Sequence, residues 1–413
     1  MATLKNKYLN ILLLISSYGL GQGSIFAAQT WLVARQELNL LAAFGTHFSV
    51  AMLGIIFVDA GSLTVFARQS SLLAEHDTNP TPFWKLFWEV TTIRVTLSLF
   101  CTLAISVYLF LLSDDKFTTN FFLYALPAYL VWGFNFSGLF DGLRRSGLSG
   151  ATGAMPYIFS ATALILSVGR ANEDAGAMLG LAFTSGHIAA LALQVVSLKS
   201  VGMRITFVLP GWEGIWQAAR DGLSLIGSTI PGQLYYRFQL LISVTLLGSE
   251  STALFVYGKQ ILAATMQIVG FLRRVEFPSI VSSMTLESRN KPTLILRHQW
   301  ISIITTFIFS MVMLTVGLGL TLENDKNFSR IGSVLVAFSA VVLTGSLALT
   351  FKQGMAALGQ FRPLMLLSVA GVIGGAFLSV TLARPLGIYG FVLADLLEGI
   401  ICITVSVYIL RRK

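Results

Sequence analysis

The chain has 413 residues, of which 55% are hydrophobic and only 11% charged. A soluble protein carries about 25% charged residues, so this one lacks the polar supply to cover a water-facing surface. That excludes a soluble enzyme, a disordered chain and a secreted disulfide scaffold, and the formal charge of +9 must be read as topology before it is read as a nucleic-acid signal.

A helix needs about 20 apolar residues to cross a bilayer. In chain order, the apolar runs predict spans at 8–33, 39–67, 83–112, 121–143, 148–169, 176–198, 213–247, 252–283, 298–322, 330–351, 361–382 and 386–410. The expected fold is an all-α polytopic membrane protein of about twelve transmembrane helices. A barrel would show alternating segments of about ten residues, whereas Val334–Thr350 is a continuous uncharged run. The spans leave room for short loops and for no separate soluble domain. Cys101 and Cys402 both lie inside apolar runs and read as small buried residues, not as a disulfide.

With the N-terminus cytoplasmic, every second connection is cytoplasmic too. Most of the 28 Lys and Arg residues then fall on that side, including Lys5, Lys7, Arg144, Arg145, Lys199 and Arg204. The opposite face keeps Arg35, Lys116, Arg170, Lys326, Arg330 and Arg384. The bias places both termini in the cytoplasm. The basic excess needs no nucleic-acid partner; topology and anionic membrane lipids account for it. Trp31, Trp84, Trp88, Trp212, Trp216 and Trp300 fall near predicted span ends, where an amphipathic ring prefers the interface.

The spans divide six and six, giving domains 1–205 and 206–413 as two bundles around a central cavity. Gly19, Gly21 and Gly23 sit in the middle of the first span, and Pro231 with Gly232 in the middle of the seventh. Each weakens its helix at a matching point of its half, and paired interruptions of this kind point to a transporter hinge. The competing reading is that glycines let membrane helices approach closely.

At four places the residues resemble the MOP (multidrug/oligosaccharidyl-lipid/polysaccharide) exporter superfamily, in particular its Wzx-type polysaccharide flippases. Val58-Asp59-Ala60-Gly61-Ser62 resembles an Asp-x-Gly span ending of that family. Leu247-Gly248 with Ala253, and Tyr257 to Gln260, is similar to the opening of its second half. Arg273-Arg274-Val275-Glu276-Phe277-Pro278 resembles its Phe-Pro ending, and Pro385-Leu386-Gly387-Ile388-Tyr389-Gly390 its Gly-x-x-Gly motif. The resemblance covers most of the chain, but Arg237-Phe238-Gln239 stands where many relatives carry an acidic residue. It implies a flippase moving an undecaprenyl-diphosphate-linked oligosaccharide, the repeat unit of O-antigen lipopolysaccharide or another surface polysaccharide. Movement would run from the cytoplasmic to the outer leaflet by alternating access, with a polysaccharide polymerase as a partner. A cation-coupled multidrug antiporter of the same superfamily is the alternative.

Charged groups inside the spans are the candidate site residues, because each costs at least about 2.5–3.5 kcal/mol on insertion. Arg94 has Val90 and Ser98 four residues away and no charged neighbour on its own helix; it faces a cavity, where a guanidinium grips a diphosphate, or it pairs with a carboxylate on another helix. Arg237 and Lys259 are read as substrate-binding cations, with snorkelling to the outer interface as the competing role of both, more so of Lys259. Asp395 and Glu398, three apart on one helical face, either couple transport to a proton or Na+, act as counter-ions to Arg94 or Arg237, or form structural pairs. Asp59 fits a gate, a helix end or coupling. Glu89 lies four residues from Lys85 and reads as a surface ion pair. His47 and His187 lack a second ligand at helical spacing and read as hydrogen-bonded core histidines, so no metal is expected.

No P-loop pattern exists, and the Gly19–Gly23 glycines follow no strand, so neither ATP hydrolysis nor dinucleotide binding is indicated. Asp114-Asp115 is an outer-loop carboxylate pair of the sort a metal-dependent glycosyltransferase needs, and it reads better as a solvated turn. The expectation is a carrier with no cofactor and no catalytic residue.

Overall fold

A computed structural model describes residues 2–76, 81–113, 115–200, 202–286 and 290–412. The described residues form fifteen helices and contain ten helical stretches long and apolar enough to cross a membrane, one of which, Ser146–Leu166, runs over two successive helices. All twelve expected spans coincide with helix. The two outside that set of ten are 121–143 and 213–247. The protein is a polytopic all-α membrane protein.

The chain divides into two compact units, Met1–Leu223 and Ser224–Lys413. The first holds α1 (Ala2–Ala34), α2 (Leu38–Asp59), α3 (Ser62–His76), α4 (Thr81–Leu112), α5 (Lys116–Gly133), α6 (Ser137–Gly142), α7 (Ser146–Gly153), α8 (Met155–Leu166), α9 (Asn172–Ser200) and the start of α10 (Trp212–Leu286). The second holds the rest of α10 with α11 (Lys291–His298), α12 (Trp300–Thr321), α13 (Lys326–Ala357), α14 (Phe361–Leu386) and α15 (Ile388–Arg412).

Three expected spans are subdivided. The run at 39–67 stops at Asp59, because Ala60 (φ 52°) and Gly61 (φ 67°) both take left-handed conformations before α3 begins; a helix cannot continue through two such residues. The run at 121–143 ends at Gly133 and resumes as α6, and the run at 148–169 changes from α7 to α8 just ahead of Pro156. Conversely, the expected interruptions are not breaks. Helix α1 passes through Gly19, Gly21 and Gly23, and α10 through Pro231 and Gly232, with helical hydrogen bonding on both sides. A glycine costs a helix only about 1 kcal/mol, and membrane helices tolerate proline where other groups satisfy the freed carbonyl. Gly21 does what the competing reading assigned it, since a Cβ there would lie 3.3 Å from Ala154. The non-helical point of α10 is Gly248 (φ 78°, ψ 176°), which separates the seventh and eighth spans.

Close backbone approach holds the first unit together. A Cβ on Gly180 would stand 2.2 Å from the Phe121 carbonyl oxygen, and one on Gly176 would stand 2.5 Å from that of Phe117, so α9 lies against α5 through its glycines. Around that seam are Phe44, Phe121, Tyr129 and Phe183. A second core gathers Phe66, Trp84, Phe87 and Phe136, with the Phe87 and Phe136 rings stacked at 4.7 Å. Trp84, expected as an interfacial anchor, is therefore a buried core ring, whereas Trp212, Trp216 and Trp300 are exposed. In the second unit, Phe255, Phe338 and Phe391 form the centre of the core.

Candidate functional site

Each unit contains a buried ion pair set in a network of uncharged hydrogen-bonding groups. In the first unit, the turn after α2 leaves Asp59 at a helix end, where its carboxylate accepts the Leu63 N–H (3.3 Å) and so caps α3. Arg94 reaches it from α4. Its Nη2 lies 2.8 Å from Asp59 Oδ1, Nε donates to Ser62 Oγ at 2.6 Å, and Nη1 donates to the Asn135 carbonyl at 3.1 Å. Asn135 Oδ1 accepts the Ser137 N–H at 3.2 Å, and Gln194 of α9 accepts from the Phe136 N–H while donating to Ser137 and Thr152 hydroxyls. The network ties together α2, α3, α4, α6, α7 and α9.

The Arg94 side chain is 0% exposed. Of its two readings, the structure therefore shows the pair with a carboxylate on another helix, and in this conformation Arg94 offers nothing to a substrate. Its expected counter-ions also change: Asp59, not Asp395 or Glu398, pairs with Arg94. Ser98 donates to the Arg94 carbonyl and to Tyr129 O and leaves the guanidinium alone.

In the second unit, Lys259 Nζ lies 2.6 Å from Asp395 Oδ2, and both side chains are nearly inaccessible. The other carboxylate oxygen accepts from Tyr235 Oη at 3.0 Å and Gln239 Nε2 at 2.9 Å, and Ser379 Oγ completes the cluster. The ammonium also stands 5.4 Å from the centre of the Phe255 ring, a favourable position for a cation in apolar surroundings. The participants come from both sides of the Gly248 break of α10, from α14 and from α15. Snorkelling of Lys259 is thereby excluded in this conformation.

Asp395 and Glu398 do not share partners. Glu398 faces a groove of about 460 Å³ between α14 and α15, where it accepts a hydrogen bond from Cys402 Sγ at 3.0 Å and stands 3.9 Å from Lys352 Nζ. Arg237 behaves differently from both other intramembrane cations. It is exposed on α10 and makes no hydrogen bond or ion pair among the described residues.

Several polar residues escaped sequence reasoning. Glu276, Ser302, Arg273, Ser346 and Thr306 form another buried network of the second unit, with Ser302 Oγ 2.5 Å from Glu276 Oε2 and Arg273 Nη2 2.7 Å from Ser346 Oγ. Glu89 does not pair with Lys85; its Oε1 accepts the Gly211 N–H at 3.2 Å, at the start of α10. An unsatisfied helix N-terminus attracts a carboxylate more strongly than an exposed lysine does. His47 and His187 are hydrogen-bonded core residues: His187 Nδ1 lies 2.8 Å from Phe183 O, and His47 bonds Ala43 O and Thr118 Oγ1. Asp115 caps α5 through the Phe117 and Thr118 N–H groups; Asp114 lies outside the described residues. No three His, Cys, Asp or Glu side chains gather as a metal site among the described residues.

No family model matches the sequence, and no curated protein matches it significantly. Solved structures do match across the whole chain. The fold is similar to that of a MATE protein in its straight conformation, with a TM-score of 0.76 at 12% identity over 99% of this chain and 97% of that one. It is similar to an outward-facing multidrug resistance MATE family transporter of the MOP superfamily (0.69, 14%, 98% and 94%). A MOP superfamily transporter from Pyrococcus furiosus, whose reversed binding-pocket polarity suggests a different function, is also similar (0.68, 12%, 99% and 96%). The chain therefore has a MATE-like fold.

Proposed function

We propose that the chain is a MOP-type transporter of the bacterial inner membrane that moves an undecaprenyl-diphosphate-linked oligosaccharide from the cytoplasmic to the outer leaflet by alternating access. The observation that carries this reading is Arg237: a cation in the expected seventh span, exposed and without an anionic partner among the described residues. A cation within a span is a functional-site candidate by default, and the diphosphate of a lipid-linked sugar offers oxygens that a guanidinium grips bidentately. The MATE-like fold and the four short motifs resembling polysaccharide flippases support the same class.

The cation-coupled multidrug antiporter is the weaker reading. It needs a carboxylate free to bind the coupling ion, and the two most enclosed candidates are already engaged, Asp59 by Arg94 and Asp395 by Lys259. Lys259 enters the flippase mechanism as a resident cation: when the cargo diphosphate competes with Asp395 for Lys259, the carboxylate is released to take up a proton. The glycine and proline positions of α1 and α10 serve as bending points during the rocking of the halves.

The test is mass spectrometry of polyprenyl-diphosphate glycans in cells lacking the protein. One lipid-linked oligosaccharide should accumulate while the surface polymer disappears, and wild-type protein, but not Arg237→Ala at equal membrane abundance, should reverse both. An unchanged glycan pool with altered sensitivity to cationic drugs would overturn the reading in favour of the antiporter.

A further inference from the structure

Helix α9 ends in a tight closure. Gly202 takes φ +73°, its N–H donates to Lys199 O at 3.1 Å, and the Met203 N–H reaches back to Leu198 O at 3.1 Å. This pair of bonds satisfies two terminal carbonyls and turns the chain sharply. Residues 203–211 then run without helix or strand to the start of α10.

This strap is fastened to α4. Trp88 Nε1 donates to Thr206 O at 2.9 Å, the Phe207 ring meets the Trp88 ring edge-on at 5.1 Å, and Val208 and Met203 join the aromatic core. While Val208 and Met203 turn to that core, Ile205, Phe207 and Leu209 keep much of their surface free. They are 47%, 66% and 78% exposed. Trp212 and Trp216, one turn apart on α10, add two more exposed rings. The turn at Gly202 also brings Arg204 back toward Lys199. Both are exposed, and with Leu198, Gly202, Met203 and Ile205 they line a hollow of about 680 Å³ with no carboxylate among its described lining residues.

We infer that this hollow and the strap beside it form a binding site for an anionic phospholipid, with Lys199 and Arg204 holding the phosphate and the outward apolar side chains entering the acyl layer. Basic residues at a membrane surface attract anionic headgroups, and tryptophan with aliphatic neighbours marks the same depth. A free phosphate would meet the two cations but leave five large apolar side chains in water, which the hydrophobic effect opposes. The inference rests on the membrane reading of the fold and not on the identity of the cargo.

Native mass spectrometry of the detergent-purified full chain, titrated with phosphatidylglycerol or phosphatidylcholine, tests it. Wild-type protein should prefer phosphatidylglycerol, and the Lys199→Gln/Arg204→Gln double variant should bind it about tenfold or more weakly, with phosphatidylcholine binding unchanged. Inorganic phosphate at matched ionic strength should not displace the lipid; displacement would assign the hollow to a free anion and overturn the proposal. Equal phosphatidylglycerol binding by wild type and double variant would overturn it too, and would leave the strap to a protein partner. A second measurement needs no variant: amide exchange in 204–209 should be slower in phosphatidylglycerol nanodiscs than in phosphatidylcholine ones. Identical exchange in the two bilayers would refute the site.

Discussion

The Arg94–Asp59 pair makes a prediction whose asymmetry is its test. Arg94 is wholly enclosed, and arginine cannot shed its charge at accessible pH. In Asp59→Leu the guanidinium stays buried with Ser62 Oγ and Asn135 O as its remaining acceptors, and stranding a buried charge in this way costs about 3–5 kcal/mol. Arg94→Met leaves the opposite orphan. Asp59 is 17% exposed and still accepts the Leu63 N–H, so it keeps solvent and a hydrogen bond, and the loss should be about 1–3 kcal/mol, set mainly by the hydrogen bonds removed. The double variant removes both charges and keeps side chains of similar volume. It should sit within about 2 kcal/mol of wild type, the residue being the lost cap of α3. The two single losses would sum to more than that, giving a coupling of at least about 2 kcal/mol. SDS titrations of the four proteins, followed by circular dichroism, measure the cycle. Additive losses, or Arg94→Met the more damaging single change, would refute the account of Arg94 as a charge held only by its partner. Lost surface glycan in an Arg94→Ala variant would follow from a weakened first unit, so Arg237→Ala is the substitution that tests the proposed cargo contact.

Gly180→Ala should sharply reduce folded protein, because its methyl group would meet the Phe121 carbonyl oxygen at 2.2 Å and force α9 from α5. Gly19→Ala and Gly23→Ala, with open space around each Cβ, should be neutral or stabilising by up to about 1 kcal/mol; size-exclusion profiles of the three variants compare them directly. Glu89→Ala should speed amide exchange at Gly211 and the first turn of α10, and Glu89→Gln should restore much of the protection; unchanged exchange in the alanine variant would remove Glu89 as the cap. Asp115 is held below its usual carboxylate range, first by the Thr118 hydroxyl and then by the Thr118 N–H. A depressed native value means its capping contribution is present above the unfolded-state pKa and fades as pH falls through the lowered one. Asp115→Ala should therefore cost about 0.5–2 kcal/mol at neutral pH and progressively less in acid, as thermal unfolding between neutral and acidic pH would record.

The fold was legible because the bilayer imposes a length rule that survives low identity. Each of the twelve apolar runs became helix, and the errors lay where backbone conformation overrode hydropathy. Ala60 is one such place: nothing in an apolar alanine announces a left-handed residue, and only Gly61 beside it hinted that the helix stops at Asp59. Gly248 is the reverse case. One glycine among many broke α10, while Pro231-Gly232, a stronger breaker by intrinsic propensity, did not.

The site was legible as a set of residues and not as a set of pairs. Arg94 and Asp59, and likewise Lys259 and Asp395, lie far apart in sequence on different helices, whereas the only neighbours a helical reading supplies are those three or four residues away. Judged on that local view, Arg94 has no partner and Glu89 has an obvious one in Lys85. Both inferences invert for one reason. Inside a membrane the cost of an unpaired group grows with its enclosure, so the fully enclosed Arg94 draws a carboxylate from another helix, and Glu89 leaves a solvated lysine for the bare N-terminus of α10. Arg237 is exposed and meets neither condition among the described residues. That is the physical ground for proposing Arg237, and not Arg94, as the cargo contact.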